Sequence, residues 1–114
     1  MIRVALGQEP ADCVIKNGQI LNVFTCELFP GDIAITDGRI AAVGDVERCI
    51  GPGTVILDAA GYNLVPGLIE PHTHPEVTKL TPTRFAQILL AHGTTSVMCS
   101  FDQIGVVAGI DGIR

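Results

Sequence analysis

The 114-residue chain has no cluster of basic residues, no Cys-x-x-Cys pair and no long apolar run, and each absence removes a class of function. Its seven Lys and Arg residues are scattered among twelve Asp and Glu, for a formal net charge of −5, so no patch for a nucleic-acid backbone is visible. Nothing approaches the ~20 consecutive apolar residues of a bilayer span, and the N-terminus lacks a basic start followed by an apolar stretch. Cys13, Cys26, Cys49 and Cys99 stand far apart, which fits free thiols in a reducing, cytoplasmic setting. Hydrophobic residues make up 47% and charged residues 17%, so there is ample material for a packed core. The length suits one domain, or one small domain plus a piece of another.

The first half reads as short strands. Residues 1–10 show no clear period, and Glu9-Pro10 reads as a linker or turn. Cys13 to Lys16 and Gln19 to Val23 are β-rich and flank Asn17-Gly18, the dipeptide that favours a two-residue hairpin turn. Phe24 to Pro30 reads as a wider connection. Asp32 to Thr36 and Arg39 to Val43 flank Asp37-Gly38 in the same way and predict a second hairpin. Residues 45–53 read as loop, Thr54 to Asp58 as a fifth strand, and Tyr62 to Leu64 as a short sixth. Residues 1–64 are thus expected to form a β-rich unit at the lower size limit for a domain.

From Val65 the pattern changes. Val65 to Glu70 is apolar and runs through Pro71 into His72-Thr73-His74-Pro75-Glu76. On a strand, Leu68, Glu70, His72 and His74 share one face, so two imidazoles stand side by side, a spacing that suits one metal ion bound from one direction. Pro71 cannot donate to a sheet ladder, so pairing is expected to stop near Glu70 and leave the histidines at the strand's carboxyl end. Thr81 then reads as an N-cap with Pro82 at the first helical turn, Phe85, Ile88 and Leu89 on one helical face, and Gly93 past the end, which predicts a helix over 82–92. Thr94 to Ser100 is β-rich and is expected to pair parallel to the first strand. Phe101 to Arg114, with Gly105, Gly109 and Gly112, reads as loop with a short helical turn. The fold class is α/β with a β-rich N-terminal part, divided as 1–64 and 65–114.

Pro66 to Glu76, together with Leu80-Thr81-Pro82, Phe85-Ala86 and His92-Gly93-Thr94-Thr95, resembles the first barrel strand and following helix of the amidohydrolase superfamily, in its bacterial adenine deaminase branch. The resemblance implies a β-sandwich part followed by the first βα units of a TIM-like (β/α)8 barrel, incomplete here. From Val65 there are 50 residues (114 − 64), against the ~250 of a whole barrel. It implies a hydrolase that uses one or two divalent ions (Mn, Fe or Zn), with His72 and His74 as metal ligands. Glu76, which matches the glutamate of a His-x-His-x-Glu run, would be a catalytic carboxylate touching metal or substrate. Its other reading is a loop carboxylate in water.

Glu70 and Asp102 are expected to support the ligands, Glu70 by orienting an imidazole. The implied partner is a small molecule, a purine or related heterocycle, in a homo-oligomeric protein with no nucleic acid or membrane. The isolated chain is expected to be inactive. After the second strand the family carries Asp-Pro-His-Glu, whereas this chain reads Ser100-Phe101-Asp102-Gln103, which leaves other specificities open, a cyclic-amide hydrolase or a deacetylase. A non-catalytic β-rich interaction module with an incidental His-x-His is a further alternative. His92, Lys79 and Cys99 read as a helix-end cation, a solvated charge and an inert thiol.

Overall fold

The computed structural model describes residues 1–113, the side chain of Ile113 excepted, so the part of the tail that is Arg114 lies outside them. The chain forms two compact units, Met1–Val65 and Pro66–Arg114.

In the first unit, α1 (Ile2–Ala5) precedes β1 (Cys13–Asn22), β2 (Glu27–Thr36), β3 (Arg39–Gly44), β4 (Val55–Asp58) and β5 (Asn63–Leu64), with a 3-10 turn at Glu47–Cys49. The sheet order is β3-β2-β1-β4, with β5 also pairing with β1. Residues 1–10, which showed no period, contribute Val4 to the core, where it joins Ala11, Val14, Ala34, Val46 and Cys49.

The expected hairpin at Asn17-Gly18 is not there. β1 runs straight through it, and the pairing with β2 slips between Ile15 and Gly18, leaving Lys16 and Asn17 opposite Asp32 alone. The positive φ that Asn tolerates, here 64°, is used for a bulge instead of a turn. The Asn17 N–H donates to Asp32 Oδ1 at 2.8 Å and its side-chain amide to Asp58 Oδ1 at 2.9 Å, so neighbouring strands hold the kink from both sides. The true β1–β2 turn lies at 23–26, where the Asn22 side chain accepts from Phe24 and Thr25 N–H, so the predicted wide connection is mostly strand. The second hairpin is as expected: Asp37 and Gly38 both have positive φ between β2 and β3.

The register leaves one face of this sheet bare. Val43, Ile33, Ile15 and Leu57 line up across four strands, and Ile40, Ile35, Cys13 and Val55 form the next row. Val43, Ile40, Val55 and Leu57 are each about half exposed, at 48%, 59%, 58% and 51%. Val14 and Ala34, on the opposite face, are fully buried.

The second unit is a βαβ: β6 (Leu68–Thr73), a 3-10 turn at Pro75–Thr78, α2 (Pro82–Ala91), β7 (Thr94–Cys99) parallel to β6, then α3 (Asp102–Ile113). Thr81 caps α2 by accepting from Arg84 N–H, and Gly93 follows at φ 84°, as its sequence signals require. Two expectations fail here. Pro71 does not end β6, because the register slips between Glu70 and Thr73 and sets Pro71 and His72 against Met98 alone. A proline that cannot donate is absorbed at an irregularity, and pairing resumes to Thr73, whose carbonyl accepts from Ser100 N–H. The tail is helical from Asp102, not a loop. Its glycines act locally, since the helix breaks only at Gly109, with φ 62° and ψ −159°. Among the described residues no helix is long and apolar enough to cross a membrane.

Gly67, just ahead of β6, packs so tightly on β7 that an added Cβ would lie 2.1 Å from Thr95 Oγ1. Gly67→Ala is therefore expected to cost about 1–3 kcal/mol in urea denaturation. Gly53→Ala, where a Cβ meets nothing within 4 Å, is expected to stay within about 0.5 kcal/mol.

The bulge makes a second prediction. The Asn17 amide, and then the Ala60 N–H, hold the Asp58 carboxyl below its ordinary 3.8. A carboxylate depressed in the folded state contributes stability above its unfolded pKa, and that contribution fades as pH falls through the lowered folded value. Asn17→Gly keeps the positive φ and removes the amide. Carboxyl NMR titration should show Asp58 moving up toward 3.8, and the variant should be less stable near neutral pH while the share of acid destabilisation that Asp58 contributes shrinks.

Candidate metal centre

Because β6 and β7 are parallel, their carboxyl ends fall on the same side, and the candidate residues converge there. His72 is on β6, His74 and Glu76 follow it, and Asp102 opens α3 just after β7. The two imidazoles meet edge to face, with centroids 4.9 Å apart and Nε2 atoms 3.1 Å apart. In a tetrahedral site with nitrogens ~2.0–2.1 Å from the ion, two ligand nitrogens lie roughly 3.3 Å apart, so the pair nearly has the span that one ion needs. The same distance allows one ring to donate a hydrogen bond to the other.

The surrounding residues orient this pair. His74 Nδ1 is buried and lies at ion-pairing distance, 3.0 Å, from Asp102 Oδ1. Glu76 Oε2 is buried and unpaired, while its Oε1 accepts from the Gln103 N–H at 3.3 Å. Asp102 Oδ1 accepts from Ser100 Oγ at 2.8 Å, and this bond, more than the nearby His74, pulls the Asp102 carboxyl below its ordinary range. Glu70 Oε1 accepts the backbone N–H of His72 at 3.1 Å, so it bears on that histidine through the main chain and not through the ring.

His74, Glu76 and Asp102 together offer donor atoms within 4.8 Å of one another. A buried carboxylate oxygen without a partner, at Glu76 Oε2, and a convergent nitrogen pair fit a divalent cation better than a solvated surface. Ser100 and Gln103 are the residues that sequence reasoning gave no role. Capping logic offered a signal for Gln103, whose N–H, in the first turn of α3, has no acceptor within the helix and needs one from outside. His92 lies elsewhere, in a shallow groove along α2 with Leu80, Arg84, Gln87, Ile88 and Ala91, which none of the strand-tip residues lines.

No protein-family model matches the chain. Among solved structures it is similar to N-acyl-D-glutamate deacylase from Bordetella bronchiseptica, complexed with zinc and a phosphonate inhibitor. That TM-score is 0.62, with 26% identity over 77% of this chain and 18% of the other. A D-aminoacylase mutant in complex with copper chloride gives a TM-score of 0.66 and 27% identity over 80% of this chain and 19% of that one. These neighbours are amidohydrolase superfamily members, and the fold is the mixed, strand-rich α/β arrangement of their N-terminal parts.

Sequence relatives narrow the likeness. The adenine deaminase of Moorella thermoacetica is 47% identical over 114 residues, covering 100% of this chain and 19% of that protein. That of Paracoccus denitrificans is 46% identical over 116 residues, with the same coverage. The chain is thus similar over its whole length to the N-terminal part of bacterial adenine deaminases, and it spans 19% of the length of these relatives.

Proposed function

We propose that the chain provides the first metal-binding strand tip of a metal-dependent hydrolase that cleaves a C–N bond, and that the whole protein converts adenine and water to hypoxanthine and ammonia. The observation that carries this reading is the facing Nε2 pair of His72 and His74 in a chain 47% identical to an adenine deaminase throughout. The zinc and copper of the structural neighbours support a divalent ion, one or two in number. Such an ion makes water nucleophilic near neutral pH and stabilises developing negative charge.

The residues' own tasks follow from their placement. His72 and His74 present lone pairs from one side, and Glu70 holds the His72 main chain. Glu76, anchored through Oε1, keeps Oε2 turned away from that anchor as the catalytic carboxylate in contact with metal or substrate. In the overall reaction the water oxygen bonds to the ring carbon that carries the amine, the C–N bond breaks, and the amine leaves as ammonia with one water proton while the other stays on a ring nitrogen of the oxopurine product. A deacylase reading has its own support in the two solved neighbours named above.

The same reading accounts for the uncovered surfaces. The bare aliphatic face of the five-stranded sheet suits a second sheet that completes a β-sandwich, and β6 and β7 suit the first two strands of a barrel closed by further βα units. Free thiols at all four cysteines agree with a cytoplasmic setting. Leu68, Ile69 and Met98 are more than half exposed on a two-stranded sheet with open edges, so the 114 residues alone are expected to self-associate in light scattering. A monodisperse monomer with a cooperative melt would count against that.

For the activity, an ammonia-release screen of the full-length protein over purines, pyrimidines, cyclic amides and N-acyl amino acids should give metal-dependent turnover, highest on adenine. His72→Ala should remove it, and the 114 residues alone should give none. No turnover on any substrate with metal restored would overturn the enzyme reading, and preference for an N-acyl amino acid would move it to the deacylase.

A further inference from the structure

We propose that the tip of the β1–β2 hairpin, with Phe24 at its apex, is a docking knob that seats in an apolar pocket formed by the part of the protein that follows residue 114. The knob serves assembly of the chain and takes no part in the reaction.

The sheet supports this arm only partway along. β3 pairs with β2 over residues 32–36, β4 with β1 over residues 13–16, and β5 with β1 at Gln19 and Ile20. Among the described residues, Leu21 and Asn22 pair with Leu28 and Glu27 alone, so the tip stands beyond the rest of the sheet. A tip left in water is ordinarily built of Gly, Asn, Asp or Pro. This one carries Phe24, 94% exposed, with Val23 and Leu28 about half exposed on the same arm. It is also ordered before any partner arrives. Asn22 Oδ1 accepts from the Phe24 and Thr25 N–H groups at 3.0 and 3.4 Å, and the Asn22 carbonyl accepts from the Cys26 N–H at 2.7 Å. An aromatic presented in its bound shape loses little entropy on docking, which suits it as an anchor.

Charge and size select the partner. No Lys or Arg lies between Lys16 and Arg39, whereas Glu27, Asp32 and Asp37 do, so the arm repels an anionic lipid surface or a nucleic-acid backbone. Covering Phe24 with the exposed halves of Val23 and Leu28 buries a few hundred Å². That is well short of the ~800 Å² per partner of a stable complex between separate molecules, so the tip alone cannot hold a second copy. A tethered segment of the same chain meets it at an effective concentration on the order of mM, where so small a contact suffices. The 114 residues correspond to the N-terminal 19% of the adenine deaminases they match, so most of a protein of that kind follows and can supply the pocket.

The test uses the full-length protein. Hydroxyl-radical footprinting read by mass spectrometry should oxidise Phe24 severalfold more slowly in the native protein than in urea, and by the same factor at every protein concentration. A photoreactive p-benzoylphenylalanine placed at position 24 should cross-link on irradiation to a peptide of its own chain beyond residue 114. Phe24→Ser should lower the urea midpoint, whereas a change at a tip that faces only solvent leaves it in place. Oxidation of Phe24 as fast as in urea, protection that disappears on dilution, or a cross-link to a second copy or within residues 1–114 would overturn the proposal. The footprint needs no variant, so a substituted chain that fails to fold still leaves a decisive measurement. None of these readouts involves ammonia release, so this inference and the hydrolase reading fail separately.

Discussion

The parallel pairing of β6 with β7 is the constraint from which the candidate centre follows. Parallel strands must be joined by a crossover, which here is α2, and they end on the same side. Thr73 and Cys99 are paired, so whatever follows each strand begins from neighbouring positions. His74 and Glu76 leave one strand, Asp102 and Gln103 the other, and residues 27 and 28 apart in sequence come within bonding distance. An antiparallel pair would have sent the two exits to opposite ends.

Local rules were strong where a single residue decides a conformation. The cap at Thr81, the stop at Gly93 and the Asp37-Gly38 turn each rest on one side chain or one φ value, and each is found as read. They were weak where the outcome depends on a partner strand. Asn17-Gly18 carries a true signal for positive φ, but whether that φ closes a turn or relieves a bulge is settled by Asp32 and Asp58, which the local sequence does not bring near. Pro71 likewise ends a ladder only if β7 keeps strict register.

The site was legible in part for the same reason. His72 and His74 are two residues apart on one element, so a period of two suffices to bring them together. The Asp102 contact with His74 and the Gln103 clamp on Glu76 need the tail to be a helix that starts beside β6, which the glycines at 105, 109 and 112 obscured. Those glycines cost helix propensity, yet the first turn is held from outside by Ser100 and Glu76, and tertiary contacts outweigh composition.

The bulge at Asn17 also bears on how the molecule ages. Asn followed by Gly is the pairing whose side-chain amide is lost most readily, through attack by the next backbone nitrogen, and the product carries a carboxyl group. At this position the amide is the donor that Asp58 accepts from at 2.9 Å, and Asp32 already sits on the main-chain N–H. Hydrolysis would turn a donor between two acids into a third acid among them, exchanging a hydrogen bond for repulsion at the point where β1, β2 and β4 are knit together. The first unit therefore carries its chemical clock at its own seam.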